Sequence, residues 1–152
     1  LDRKRIDPEI EVPRPSYLPE AWIEDTPERL AAYATLTAAR DLEQLRRASD
    51  GLEREYGELP DPAHAFTRVL ELKLRAREMG VERISVLQVR VILQLADVTT
   101  VDPARVVQLA QQMPKRIAVK GSSLEVRFTP DEGEQPFLFV HWILDLLSEA
   151  VP

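Results

Sequence analysis

The chain has 152 residues, 44% of them hydrophobic and 30% charged, enough to bury a core beneath a solvated surface and too apolar for a disordered tail. The 20 Lys+Arg against 26 Asp+Glu leave a net charge of -6, which argues against a general electrostatic footprint for nucleic acid. The absence of cysteine excludes disulfides, thiolate zinc sites and cysteine nucleophiles, and an acidic chain without a signal segment fits a cytoplasmic protein.

Residues 1–23 are a proline-punctuated lead-in. Pro8, Pro13, Pro15 and Pro19 each remove a backbone donor, and between them Ile10 and Val12 alternate with Glu9 and Glu11. That alternation predicts a short strand, which proline confines to a sheet edge. The segment Leu1–Arg5 carries three basic residues and reads as a linker end rather than a nucleic-acid arm. A chain opening on Leu1 instead of methionine reads as a piece cut from a longer polypeptide.

Three helices follow. Thr26-Pro27 predicts an N-cap with proline at the first helical position, and Leu30, Tyr33, Ala34 and Thr37 fall on one face. Asp41 caps a second helix whose stripe is Leu42, Leu45, Ser49, Leu52 and Tyr56, closed by Gly57. Asp61-Pro62 opens a third, with Ala65, Val69, Leu72, Ala76 and Met79 as one stripe and Phe66, Leu70 and Leu74 beside it, ended by Gly80. Short loops between them predict a helical bundle.

The period then changes to two. Ile84 and Val86, then Leu87, Val89, Val91, Leu93 and Leu95, give strands whose apolar phase switches at Leu87, the mark of a tight turn or a bulge. Asp102-Pro103 opens a short helix with Val106, Leu109, Ala110 and Met113 inward. Two alternating runs around Lys120-Gly121-Ser122-Ser123 predict a hairpin. Pro136 begins a last helix to about Glu149, and all but His141 and Asp145 between Phe137 and Leu147 are apolar. That run is too short for a membrane span, so the helix is either the most buried or docked on a partner. The fold class is α+β: an N-terminal bundle of three helices, then a small mixed or antiparallel sheet with two further helices. Residues 1–16 lead in, and residues 17–152 form one domain.

Chemistry is sparse. His64 and His141 lie far apart in sequence, and nothing pairs them as metal ligands. His141 and Asp145 stand one turn apart, where an acid could orient an imidazole, but no recognisable nucleophile accompanies them. Gly121-Ser122-Ser123 lacks the spaced glycines and Lys-Ser/Thr ending of a phosphate loop. Glu53, Glu55 and Glu58, interrupted by Arg54, read as a solvated helix face. These residues assign no catalytic group, no metal and no cofactor.

One resemblance runs through the first half. Tyr17-Leu18-Pro19-Glu20-Ala21-Trp22-Ile23, then Arg29-Leu30 and Tyr33, follow the pattern L-I-P-x-x-Y-I and x-R-L-x-x-Y. Tyr56-Gly57-Glu58-Leu59-Pro60, with Leu72, Ala76 and Gly80-Val81 after it, keeps the later pieces in order and spacing. This set resembles the C-terminal domain of the bacterial transcription-repair coupling factors, the Mfd family. Two departures stand out: Trp22 replaces a Tyr or Phe, and the family's E-L-x-D-R reads Gly51-Leu52-Glu53-Arg54-Glu55, with the charge order inverted.

The resemblance implies a non-catalytic regulatory domain. Its parent would be an ATP-dependent DNA translocase that displaces stalled RNA polymerase, with a UvrB-like module that recruits the excision-repair protein UvrA. The domain would pack on that module and mask the UvrA-binding surface. The expected contact lies near the C-terminal end of the second helix, at Arg47, Asp50, Glu53, Arg54 and Glu55. The residues alone leave two other classes open: a small enzyme using His141 and Asp145, and a nucleic-acid accessory domain.

Overall fold

The computed structural model describes residues 6–149 and 151, so the basic Leu1–Arg5 segment lies outside the described residues. The elements run β1 (Glu9–Glu11), α1 (Thr26–Thr37), α2 (Leu42–Tyr56), α3 (Asp61–Met79), β2 (Val81–Val86), β3 (Arg90–Leu95), α4 (Pro103–Gln112), β4 (Ile117–Lys120), β5 (Ser123–Arg127), α5 (Pro130–Gly133) and α6 (Pro136–Ser148). The fold is α+β. Two compact units divide the described residues: Arg14–Leu74 forms a helical unit, and residues 6–13 join residues 75–149 in a sheet unit.

In the helical unit, Leu18, Ile23, Ala32, Leu36, Leu45, Leu52 and Ala63 form the buried cluster, flanked by Trp22, Tyr33, Tyr56 and Phe66. Rings meet edge to face, Tyr33 on Phe66 at 5.2 Å between centroids and Trp22 on Tyr56 at 5.9 Å. The Tyr33 hydroxyl accepts the Leu18 N–H at 2.8 Å, which ties the lead-in to α1. The Trp22 indole N–H is buried with no hydrogen-bond partner, so the aromatic swap noted in the sequence carries a polar cost that Phe would not.

Two expectations for α1 need correcting. The N-cap is Asp25, whose carboxylate accepts the Glu28 N–H at 3.0 Å, and Thr26 is already helical. The inward stripe is Ala32 and Leu36, while Leu30 is 62% exposed. Leu30 and Leu36 are six residues apart, roughly 120° around the helix, so only one can face inward. For α2 the cap is as expected and the stripe is shorter: Asp41 caps the helix through the Gln44 N–H at 2.8 Å, Leu45 and Leu52 are buried, Ser49 and Tyr56 are half-buried, and Leu42 at the first turn is exposed.

Among the described residues the sheet unit holds five strands in the order β1-β2-β3-β5-β4. β1 runs parallel to β2, and the other pairs are antiparallel, so the sheet is mixed. β1 does stand at an edge. The phase switch at Leu87 is a tight turn, closed by the Leu87 N–H on the Arg90 carbonyl at 2.8 Å, while an irregularity in register sits earlier, between Val81 and Arg83. In the β4–β5 hairpin Lys120 faces Ser123, and Gly121 at φ 61 supplies the positive φ that a II′ turn demands at its first central residue.

One face of the central strands is sealed: Ile84, Val91, Leu93, Leu124 and Val126 are at most 1% exposed. α4 lies against β4, and Phe139 of α6 meets Phe128 at 5.5 Å. α6 buries Phe139, Val140, Ile143, Leu144 and Leu147 but leaves Leu138 65% and Trp142 37% exposed. The expectation of two helices accompanying the sheet falls short by one. Thr129-Pro130-Asp131-Glu132 builds the short α5, with a reciprocal capping box between Thr129 and Glu132. The T-x-x-E spacing was the signal for it.

Candidate functional site

The expected contact surface begins with why α2 turns its charges outward. Leu45, Leu52 and Tyr56 recur at spacings of seven and four, so they hold one side against the cluster. Arg47 and Arg54, seven apart, therefore share the opposite side with Asp50 between them, and Glu53 and Glu55 flank that stripe on either hand. All five side chains are exposed. Arg47 pairs with Glu43 at 2.7 Å along the helix, an exposed i, i+4 pair that contributes no more than about 0.5 kcal/mol.

The five do not act as one cluster. Asp50 and Glu53 line a groove of about 820 Å³ whose other wall is the start of α3, while Arg47, Arg54 and Glu55 lie off it. Leu42, Leu45 and Leu59 are the apolar residues of this groove; Glu43, Arg46, Glu58, Asp61, Arg68 and Glu71 complete its charged lining, with His64 among them. Of the five expected residues only Asp50 and Glu53 lie on this groove, and the sequence reading did not include the α3 wall. The signal was present in the spacing of Asp61, His64, Arg68 and Glu71, which repeats at three and four. Glu55 instead neighbours Tyr56: burial, then the nearby carboxylates of Glu28 and Glu55, push the Tyr56 phenol above its ordinary value.

In the sheet unit Asp145 is engaged by an arginine from outside its helix. Its carboxylate accepts Arg75 Nη2 at 2.7 Å, and Arg75 Nη1 lies 3.0 Å from His141 Nδ1 and donates to the His141 carbonyl at 3.3 Å. One arginine thus spans both residues and fastens them to the end of α3. Beside them Asp131, Gln135, Leu138 and Trp142 line a shallow hollow of about 560 Å³. Arg116 stacks over the Phe139 and Trp142 rings at 5.7 and 5.5 Å and meets Glu132 at 2.6 Å. Among the described residues no group of three or more His, Asp or Glu is placed to hold a metal ion. No helix there is long and apolar enough to cross a membrane.

Comparison with known proteins agrees with this arrangement. The family model of the TRCF domain matches residues 12–106. The transcription-repair-coupling factor of Escherichia coli (strain K12) is 26% identical over 141 residues, 93% of this chain and 12% of that protein. The one from Mycobacterium bovis is 30% identical over 100 residues, 66% of this chain and 8% of that protein. The chain thus spans about a tenth of the length of these relatives. A crystal structure of the C-terminal domain of transcription-repair coupling factor superposes with a TM-score of 0.74, covering 95% of this chain and 96% of that one at 17% identity. That likeness fixes the fold, and the family match fixes the lineage: the chain belongs to the TRCF domain family, that of the C-terminal domain of transcription-repair coupling factors.

Proposed function

We propose that this chain is the non-catalytic, autoinhibitory C-terminal domain of a cytoplasmic transcription-repair coupling factor. The parent is read as an ATP-dependent DNA translocase that displaces stalled RNA polymerase and recruits nucleotide-excision repair. The domain rests on the parent's UvrB-like module and masks the surface that UvrA binds. The observation that carries this reading is the family match over residues 12–106. The uncovered charged face of α2, with Arg47, Asp50, Glu53, Arg54 and Glu55 all exposed, supports it as the place of contact. Arg54 stands where the family pattern is acidic, so the UvrB-like module should carry a matching acid there.

The test is removal of the domain from its parent. A contact that only holds a resting state contributes about 1–3 kcal/mol, so ATPase or translocation activity and UvrA affinity should rise by roughly 5- to 150-fold. Unchanged activity and unchanged affinity would contradict the reading. Reversing Arg54 and Glu55 singly should weaken binding to the UvrB-like module at low salt and matter less at high salt. The isolated chain should neither hydrolyse ATP nor bind duplex DNA at physiological salt.

A further inference from the structure

The strand register places unlike neighbours on the two halves of the sheet's polar face. Near β1, Arg83 engages both Glu9 and Glu11, and the Glu9 contact holds its guanidinium above the ordinary value, so charge there is matched. Across β3, β5 and β4 the balance fails. Against Arg90, Lys120 and Arg127 these strands carry one carboxylate, Glu125, which lies 3.7 Å from Arg90 Nη1 and 3.3 Å from Lys120 Nζ. Arg127 faces Arg90 directly across the antiparallel pair. Its side chain is exposed and, among the described residues, makes no hydrogen bond or ion pair.

Like charges directly opposite on neighbouring strands destabilise a sheet. Of the two arginines Glu125 offsets Arg90 only, and among the described residues no carboxylate pairs with the Arg127 guanidinium. Its backbone, in contrast, is firmly held. The Arg127 N–H donates to the Arg116 carbonyl at 2.8 Å, and Arg116 Nε and Nη2 donate to the Arg127 carbonyl at 3.2 and 3.1 Å. Beside Arg90 the β2–β3 turn leaves Leu87 38% and Val89 58% exposed.

From this pairing we infer a second docking surface, separate from the α2 face: Arg90 and Arg127 receive the carboxylates of an acidic protein segment, whose apolar side chain rests on Val89. Guanidinium forks match carboxylates in geometry, and two on a fixed strand pair pay little to be oriented. A local positive patch on a chain of net charge -6 attracts a short acidic segment at close range. The same net charge repels an extended polyanion such as duplex DNA, and the exposed Leu87 and Val89 suit a protein partner better than a phosphate backbone.

The experiment titrates the chain with a short synthetic peptide alternating glutamate and leucine, read by amide chemical shifts and by anisotropy of a labelled copy. A peptide alternating lysine and leucine and a duplex DNA serve as controls. The acidic peptide should shift the amides of Val89, Arg90 and Arg127, bind more weakly at high salt, and lose at least about tenfold in affinity to the double variant Arg90→Glu/Arg127→Glu. Arg127→Glu alone puts opposite charges across the strands, so this variant should melt no lower than the parent chain. No shift with the acidic peptide, equal binding by the double variant, or tighter binding of the duplex would overturn the proposal. A lower melting temperature for Arg127→Glu would also overturn it, since Arg127 would then serve the fold.

Discussion

α2 in the helical unit and α3, whose end enters the sheet unit, both stop at a glycine, and the two endings are built differently. Gly57 sits at φ 91 and ψ -178, and a Cβ placed there would meet nothing within 4 Å. Its N–H caps the Glu53 carbonyl at 2.9 Å, so the whole device is local. Gly80 sits at φ 72, and a Cβ there would fall 2.4 Å from the Thr99 Cα and 2.9 Å from the Thr99 nitrogen. The loop after β3 closes over this helix end: the Thr99 and Thr100 hydroxyls donate to the Met79 carbonyl at 2.8 and 3.3 Å, and the Ala96 N–H donates to the Gly80 carbonyl at 2.8 Å. One glycine turns a chain; the other also admits a second backbone. At these two helix ends the helical unit relies on a device close in sequence, and the sheet unit on contacts with a more distant segment.

That difference can be broken by substitution. Gly57→Ala suffers backbone strain alone, since φ and ψ there fall in a region nearly closed to other residues, and should cost about 2 kcal/mol. Gly80→Ala suffers strain and a backbone collision that no side-chain rotation relieves, and should cost at least about 4 kcal/mol. Urea unfolding of the two variants measures both. Equal losses would show that the loop over α3 moves away freely and that the contrast between the units is illusory.

A smaller effect sharpens the same contrast. Arg105 on α4 is 6% exposed, and its guanidinium reaches Leu146 O at 2.8 Å, Gln108 at 2.6 Å and Glu149 at 2.6 Å. It therefore satisfies a carbonyl in the last turn of α6, far along the chain. Arg105→Ala should cost about 2 kcal/mol, mainly from the buried guanidinium's lost hydrogen bonds to Leu146 O and Gln108, because Glu149 is 59% exposed and can return to water. Arg105→Lys should recover little, since one ammonium cannot span three acceptors set out for a fork. Full rescue by lysine in the same unfolding experiment would mean that charge alone matters here.

These examples explain which parts of the molecule are legible in the sequence. The caps Asp41 and Asp102, the terminators Gly57 and Gly80 and the hairpin at Gly121 are local chemistry, and they read directly. The α2 stripe reads because Leu45 and Leu52 leave no competing face. The α1 stripe does not, because Leu30 and Leu36 offer two faces and only packing against Leu18 and Ile23 chooses between them. Arg105 is illegible for another reason: it sits among Ala104, Val106 and Val107 as an ordinary helical charge, and two of its three acceptors lie some forty residues away. The charged residues of α2 were found, yet their division into groove-lining Asp50 and Glu53 and outward Arg47, Arg54 and Glu55 depends on where α3 packs. Arg75 likewise claims His141 and Asp145 from outside their helix.

The smallest effect tests whether a local device in the sheet unit depends on a distant one. Glu132 accepts the Thr129 N–H at 2.8 Å as half of the α5 capping box, and it also meets Arg116 at 2.6 Å. Burial alone would raise its carboxyl, but the Thr129 N–H and the Arg116 guanidinium outweigh burial and hold it below the ordinary value of 4.5. The folded carboxyl thus binds its proton less readily than the unfolded one. Its contribution is fully present above the unfolded value and is lost as pH falls through the lower, folded one. Glu132→Gln keeps an acceptor for the capping N–H and removes only the charge. At neutral pH this variant should lose about 1 kcal/mol, the scale of a half-exposed ion pair. Below pH 4.5 the unfolding midpoints of the variant and the parent chain should converge as the parent's own carboxylate is neutralised. A difference that stayed constant across that range would mean that the Arg116 contact adds nothing and that the cap alone, a device confined to four residues, holds α5 in place.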